Sequence, residues 1–418
     1  MLDLTLKSYC MIKKPKLIIL TNTYPGIPSK QEMWLNEELK QTHQNYSQII
    51  VVPNEDMKEQ LAIPGQNSKY LEITNKKDIK LGLADWIGIL CIAISDILVL
   101  LKKGVFIREL RYNISLIKQM FQTSKFILEK INIEHSEKTI IYSYWADNLA
   151  TCGSIIKKMR PDLIHVTRAH SYEIYEEQTK YGYIPFRMVQ LNFLDKIYTD
   201  SYKGYLHLIH KHPKHAELIE CSYVGVDDLG MNPFPKNTDK IDVVSCSYVR
   251  GQKRLHLFPE VLKHVKNKVT WHLIGEGPDL PQVKELCSKL PQNIEVKFLG
   301  YLDANGVIEY FRNVPLNLFI SVSSIEGLPV SLIEAISFGI PILSTDVGGC
   351  NEICKEETGI LIPKEFNPVQ VAKQIDDFVN SNKNTSEFRK QVRKFWNENF
   401  NSKLNYAKFS NKICSIKI

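Results

Sequence analysis

Short apolar runs alternate with stretches of helical periodicity along this chain, and the alternation runs through twice. Residues 17–20 are uniformly apolar and lead into the turn-rich segment Thr21-Asn-Thr-Tyr-Pro-Gly26-Ile-Pro-Ser29. Apolar positions at helical spacing follow over 31–41, and 48–52 is apolar again. Strand, loop, helix, strand in that order predicts the opening of a doubly wound parallel sheet, whose post-strand loops face a ligand crevice. Further strands are predicted at 140–143, 163–167 and 196–199. A Gly- and Pro-rich loop and linker occupies 222–235. The alternation then restarts, with strands at 242–247, 270–275, 295–299, 316–321 and 341–345. Helices are expected at 255–266, 280–290 and around 307–311, with a further one between the last two strands and others at 370–379 and 388–396. The fold class is therefore α/β with two Rossmann-like doubly wound domains, residues 1–235 and 236–395. A tail, 396–418, is expected to pack back toward the first domain. A chain of 418 residues suits two cores of roughly 200 residues better than one.

The most apolar stretch, 86–101, is interrupted by Asp96 and falls short of the roughly 20 residues a spanning helix needs. The adjoining stretch is basic: Lys102, Lys103, Arg108, Arg111, Lys118, Lys125 and Lys130 stand among apolar residues. Two readings stay open, a shallow contact with an anionic bilayer and a core helix followed by a solvated one. The formal charge of +7 spreads over both halves, which argues against a nucleic-acid footprint and remains compatible with phosphate-bearing ligands or an anionic membrane. Nine cysteines are scattered along the chain, and the close pair Cys350 and Cys354 has no second pair, so buried thiols are expected and not a zinc site. Lys13, Lys14 and Lys16 precede too short an apolar run for a signal peptide; the expectation is a cytoplasmic protein, with peripheral contact at the inner face of a membrane under the first of the two readings.

The chemistry concentrates in 316–341. An apolar run ends at serines, Glu326 and Gly327 follow in a loop, Pro329 suits the first turn of a helix, and Gly339 suits its stop. A helix N-terminus in the crevice offers the amides of Leu328, Val330, Ser331 and Leu332 to a diphosphate. Glu326 and Glu334 then flank the phosphate position, each able to accept hydrogen bonds from paired hydroxyls. Taken singly, each reads more readily as structural, Glu326 as a helix cap and Glu334 as a solvated helix position or half of an ion pair. A second element, Val244-Ser-Cys-Ser-Tyr-Val-Arg250-Gly251-Gln-Lys253-Arg254, ends a strand in three cations around one glycine. Such a loop can neutralise a diphosphate leaving group or simply be a solvated basic turn.

The joint pattern from Glu326 to Pro341 resembles the E-x7-E signature of glycosyltransferase family 4, whose fold is GT-B. The resemblance implies a retaining transferase in which Glu326 meets donor-sugar hydroxyls, Glu334 the nucleotide ribose, and Ser331 with its neighbours the diphosphate. Lys253 matches the family's lysine, whereas the family arginine five residues earlier is replaced by Tyr248, leaving Arg250 or Arg254 to supply the second cation. Gly275 and Gly277 look like the family's loop at the nucleotide base, and the segment from Asp346 to Glu352 looks like the one lining the same crevice. In the first half, the segment from Val166 to Tyr175 resembles a strand-end motif that places His170 at the reactive end of the sugar, with Glu173 where Asp is frequent. Gly26 is expected to approach the phosphate from the opposite side. Tyr142, Tyr144 and Trp145 look like residues of an acceptor groove in bacterial polysaccharide enzymes.

The expected function is transfer of a sugar from a nucleotide-diphosphate sugar to a glycan or lipid-linked glycan in surface polysaccharide assembly, with His170, Lys253 and Glu326 catalytic. No metal ligand motif is seen, and the nucleotide sugar is a co-substrate and not a cofactor. Two alternatives remain: a nucleotide-sugar isomerase or epimerase on a GT-B-like fold, and a non-catalytic subunit of a polysaccharide-assembly complex.

Overall fold

The computed structural model describes residues 13–25, 32–55, 62–73, 76–102, 104, 106–179, 182–235 and 240–417. The first sheet contains β1 (Lys16–Thr21), β2 (Gln48–Pro53), β3 (Ser68–Tyr70), β4 (Thr139–Ser143), β5 (Ile164–Ala169), β6 (Lys196–Thr199) and β7 (Ile219–Cys221), in the order β3-β2-β1-β4-β5-β6-β7. β1 pairs in parallel with both β2 and β4, and all six of its residues are buried. Helices on both faces of a parallel sheet dictate such apolar runs.

The second sheet contains β8 (Lys240–Cys246), β9 (Lys268–Ile274), β10 (Ile294–Gly300), β11 (Leu318–Ser321), β12 (Ile342–Thr345) and β13 (Gly359–Ile362), in the order β10-β9-β8-β11-β12-β13. Its core gathers Trp271, Phe258, Leu318 and Ile375, all fully buried. The helix expected over 255–266 is split into a 3-10 turn, Leu255–Leu257, and the short helix Phe258–Leu262. Asp376 stops the segment by accepting the backbone N–H groups of Lys266 and Asn267.

Two compact units result: the chain through Ala169 with Glu176–Tyr198 and Tyr406–Ile418, and His170–Tyr175 with Thr199–Asn405. Residue 235 lies inside the second unit, where Val226 bridges to Asn401. The helix Ser402–Ser415 delivers Phe409 and Ile413 into the core of the first unit. There the buried Arg168 guanidinium stacks 4.2 Å from the Phe409 ring centroid, bonds Tyr142 Oη at 3.1 Å and pairs with Glu38 at 3.1 Å. Lys138 Nζ donates to the Cys414 and Ile416 carbonyls.

Between β3 and β4 the helices Leu83–Lys102 and Phe106–Lys130 pack against each other around Ile89, Ile92, Ile117 and Phe121. Asp96 faces inward and accepts the Phe186 N–H at 2.8 Å, and burial pushes its carboxyl up to about 6. Among the described residues no helix is long and apolar enough to cross a membrane.

Phe409 is 1% exposed and shared among Tyr142, Tyr198 and Arg168. Phe409→Ala should destabilise the first unit by about 3–5 kcal/mol, read by urea denaturation.

Candidate functional site

The strand order of the second sheet turns at β8. β9 and β10 lie to one side of it and β11, β12 and β13 to the other. The crossovers diverge there, so the C-terminal ends of β8 and β11 border a crevice that no connection covers. A cavity at this point is lined by Ser245, Cys246, Lys253, Ser321, Ser323 and Ser331.

The helix Val330–Ser337 starts at the crevice. Pro329 is its N-cap residue, one position ahead of where the sequence suggested, and no side chain caps it. The Leu332 N–H donates to the Pro329 carbonyl at 3.0 Å and is thereby removed from the expected anion-binding set. The Val330 and Ser331 amides find no acceptor among the described hydrogen bonds, which leaves the first-turn donors that an anion would need.

Glycines let the surrounding loops close on one another. A Cβ at Gly348, which has φ +50°, would lie 1.8 Å from the Glu326 carbonyl oxygen, and the Gly349 N–H donates to the Gly327 carbonyl at 2.6 Å. Gly275 (φ +134°) and Gly277 (φ +157°) press the end of β9 against the loop after β8, where a Cβ would meet the Ser247 and Val249 carbonyls at 1.9 and 2.2 Å. Gly327 itself abuts Ser171: a Cβ there would stand 2.9 Å from that of Ser171.

The charges converge on the same crevice. Lys253, closing the 3-10 turn Gly251–Lys253, places Nζ 2.6 Å from Glu326 Oε1. Arg254 has φ 47° and turns away: its guanidinium donates to the Val322, Ser323 and Lys364 carbonyls and pairs with Glu365. Arg250 is exposed and has no ion pair among the described residues, which makes it the freer of the two candidate cations. Burial pushes the Glu334 carboxyl up to about 7. Burial, with Glu334 nearby, pushes the Cys246 thiol up to about 12 and keeps it protonated at neutral pH.

Residues 228–395 match the family described as Glycosyl transferases group 1. That segment belongs to this family. A stretch of 127 residues is 35% identical to the O-antigen biosynthesis glycosyltransferase WbnH of Escherichia coli, covering 29% of this chain and 35% of the relative. Another, of 158 residues, is 26% identical to the putative colanic acid biosynthesis glycosyltransferase WcaL of E. coli K12, covering 35% and 39%. These matches therefore span less than half of the relatives' own length. In fold the likeness extends over nearly the whole chain. Anabaena HepE in complex with UDP superposes with a TM-score of 0.67 at 16% identity, over 96% of this chain and 100% of that one. The lipopolysaccharide outer core galactosyltransferase WaaB gives 0.67 at 15%, over 96% and 99%. The architecture is GT-B, built from two Rossmann-like units.

Against the pattern of this glycosyltransferase family, the second unit brings together Lys253, Glu326, Gly327, Ser331 and Glu334 at one crevice. His170 belongs to the same unit and caps the short helix Ser171–Ile174. Glu173 Oε2 accepts the His170 N–H at 2.9 Å and lies 3.4 Å from its Nδ1. Gly26 lies outside the described residues. Two carboxylates have roles that the sequence did not indicate: Glu352, named only as the end of the crevice segment, and Glu32. Glu352 accepts the Tyr202 and Lys203 N–H groups and the Tyr223 hydroxyl, tying the segment after β12 to the helix Tyr202–Lys211. Glu32, 1% exposed, accepts the N–H groups of Asn22, Thr23 and Tyr24 and the Trp145 indole N–H. Its signal was faint: one acidic residue just after a turn-rich loop.

Hydroxyl donors to Glu334 would favour its ionised form. Affinity for a ligand whose hydroxyls reach Glu334 should therefore rise as pH climbs through about 7 and level off above it, with proton release measured by calorimetry in buffers of different ionisation heat; Glu334→Gln should flatten the profile. In the empty protein the sign is opposite. The carboxyl's raised value favours the native state below 4.5, and that contribution is lost as pH rises through about 7.

Proposed function

We propose that the chain is a retaining glycosyltransferase that moves a sugar from a nucleoside-diphosphate sugar to a glycan or lipid-linked glycan during surface polysaccharide assembly, working at the cytoplasmic face of the membrane. The observation that carries this reading is the meeting of Lys253, Glu326 and the uncapped helix N-terminus at Ser331 in one uncovered crevice. The named relatives, enzymes of O-antigen and colanic acid biosynthesis, and the UDP held by HepE support the donor class and the acceptor class.

In this reading the diphosphate sits against the Val330 and Ser331 amides, where the helix dipole and unpaired donors favour negative charge. Lys253 leaves Glu326 and neutralises the leaving phosphate, and Arg250 adds the second positive charge. Glu326, freed of its lysine, accepts sugar hydroxyls. Glu334 receives the ribose hydroxyls, Gly275 and Gly277 let the base approach the end of β9, and His170 stands at the reactive end of the sugar. The sugar–phosphate bond breaks, the electron pair leaves with the phosphate, and a phosphate oxygen takes the proton of the acceptor hydroxyl that attacks from the same face. Charge stabilisation by fixed donors carries the rate, and no metal is needed in this scheme.

Thermal unfolding with a panel of nucleoside diphosphates tests the donor site: one base should raise the midpoint with the logarithm of ligand concentration, and Glu334→Ala should reduce the shift. Lys253→Ala should lower turnover about 100-fold with a smaller change in donor affinity. Activity that survives a chelator supports the metal-free scheme, and activity abolished by it removes that scheme. Sugar rearrangement without any acceptor would instead identify an isomerase.

A further inference from the structure

The helix Leu83–Lys102 is apolar on two sides. Ile89, Ile92, Ala93 and Leu100 are buried, while Leu83, Ile87, Leu90, Ile94 and Leu101 are between 53% and 80% exposed and Trp86 is 41% exposed. The exposed positions recur at helical steps and form one stripe along a helix about 30 Å long. Single exposed leucines need no explanation; a continuous stripe does. Packing fixes its direction, because Gly88 closes on Phe121 so tightly that a Cβ would lie 2.7 Å from the ring, and Asp96 is held inward by the Phe186 N–H.

Cations border the stripe. Lys118, on the neighbouring helix Phe106–Lys130, reaches to 5.8 Å over the Trp86 ring. Arg111, Lys118 and Lys80 are exposed. Residues 76–130 carry ten Lys and Arg against five Asp and Glu, and of the acidic side chains Asp96 is buried and Asp85 pairs with Lys125. A second copy of this chain seated on the stripe would set these cations against their own kind. An anionic surface would not.

We propose that this stripe is a bilayer-docking face. The helix lies in the boundary between headgroups and acyl chains, with Trp86 and the leucine and isoleucine side chains immersed and Lys118, Arg111 and Lys80 at the level of anionic headgroups. It deepens the proposed function by saying how the chain meets a lipid-linked acceptor, yet it does not depend on the donor site.

The test is co-sedimentation of the whole protein with vesicles of phosphatidylcholine alone and of phosphatidylcholine with phosphatidylglycerol. Binding should require the anionic lipid and weaken with salt. The double variant Ile87→Glu, Ile94→Glu, both positions being exposed, should bind about tenfold or more weakly while its far-ultraviolet dichroism and its thermal stabilisation across the panel of nucleoside diphosphates match the parent's. Equal binding of variant and parent, or no binding to anionic vesicles, overturns the docking face, and so does a parent dimer that the variant dissociates. Vesicle binding without any nucleotide stabilisation would leave the docking face standing and remove the transferase reading instead.

Discussion

A parallel sheet wound outward from its centre leaves one place where neighbouring strands send their crossovers in opposite directions, and here that place is β8 and β11. The rest of the site depends on it. A helix starting over the gap has amides that no preceding turn can satisfy, and the two strand-end loops must approach each other with nothing packed between them. Side chains would hold them apart. Gly348 and Gly349 let the loop after β12 close on the one after β11, and Gly275 and Gly277 let the end of β9 close on the loop after β8, each where a Cβ would collide with a backbone carbonyl. Three of these glycines have positive φ, a region other residues reach only with strain. Their structural role is thus independent of any ligand, although a base or phosphate would exploit the space they leave.

The second organising fact is electrostatic. An empty crevice holding an isolated lysine and an isolated carboxylate would be costly, since each loses water without a partner. The Lys253–Glu326 pair resolves this in the unliganded protein. Arg254 is fixed by three carbonyls and cannot follow, so the mobile positive charge is Lys253, backed by the exposed Arg250. The two charges that hold each other are also the pair that a charged leaving group and a polyhydroxy sugar would separate.

Much of this was legible in the sequence because strands buried on both faces read as unbroken apolar runs; β6 was located to the residue and β2 and β4 to within one. β3, β7 and β13 were missed: they are sheet edges of three or four residues, too short for a periodic signal. The helix Ser402–Ser415 was missed because its polar positions dominate while Phe409 and Ile413 make the contacts that matter. The segment from Leu316 to Pro341 was read correctly as strand, loop and helix, since Gly327 and Gly339 punctuate it. What could not be read was which arginine is free, because that depends on the left-handed turn at Arg254 and on carbonyls 68 to 110 residues away. The roles of Glu32 and Glu352 escaped for the same reason, most of their partners being backbone amides that sequence does not label.

The helix Ser402–Ser415 bears on how the protein is made. Phe409 and Ile413 complete the hydrophobic interior of the unit that contains the strand from Lys16, so strands synthesised before the second unit gain part of their interior only after it. While the middle of the chain is synthesised, Arg168, Glu38 and Tyr142 wait without the ring that later covers them, and their burial is incomplete. The second unit, His170–Tyr175 with Thr199–Asn405, can assemble as soon as Asn405 has emerged. The strands from Lys16 onward therefore keep an incomplete interior throughout synthesis of the second unit, open meanwhile to chaperones and to neighbouring chains.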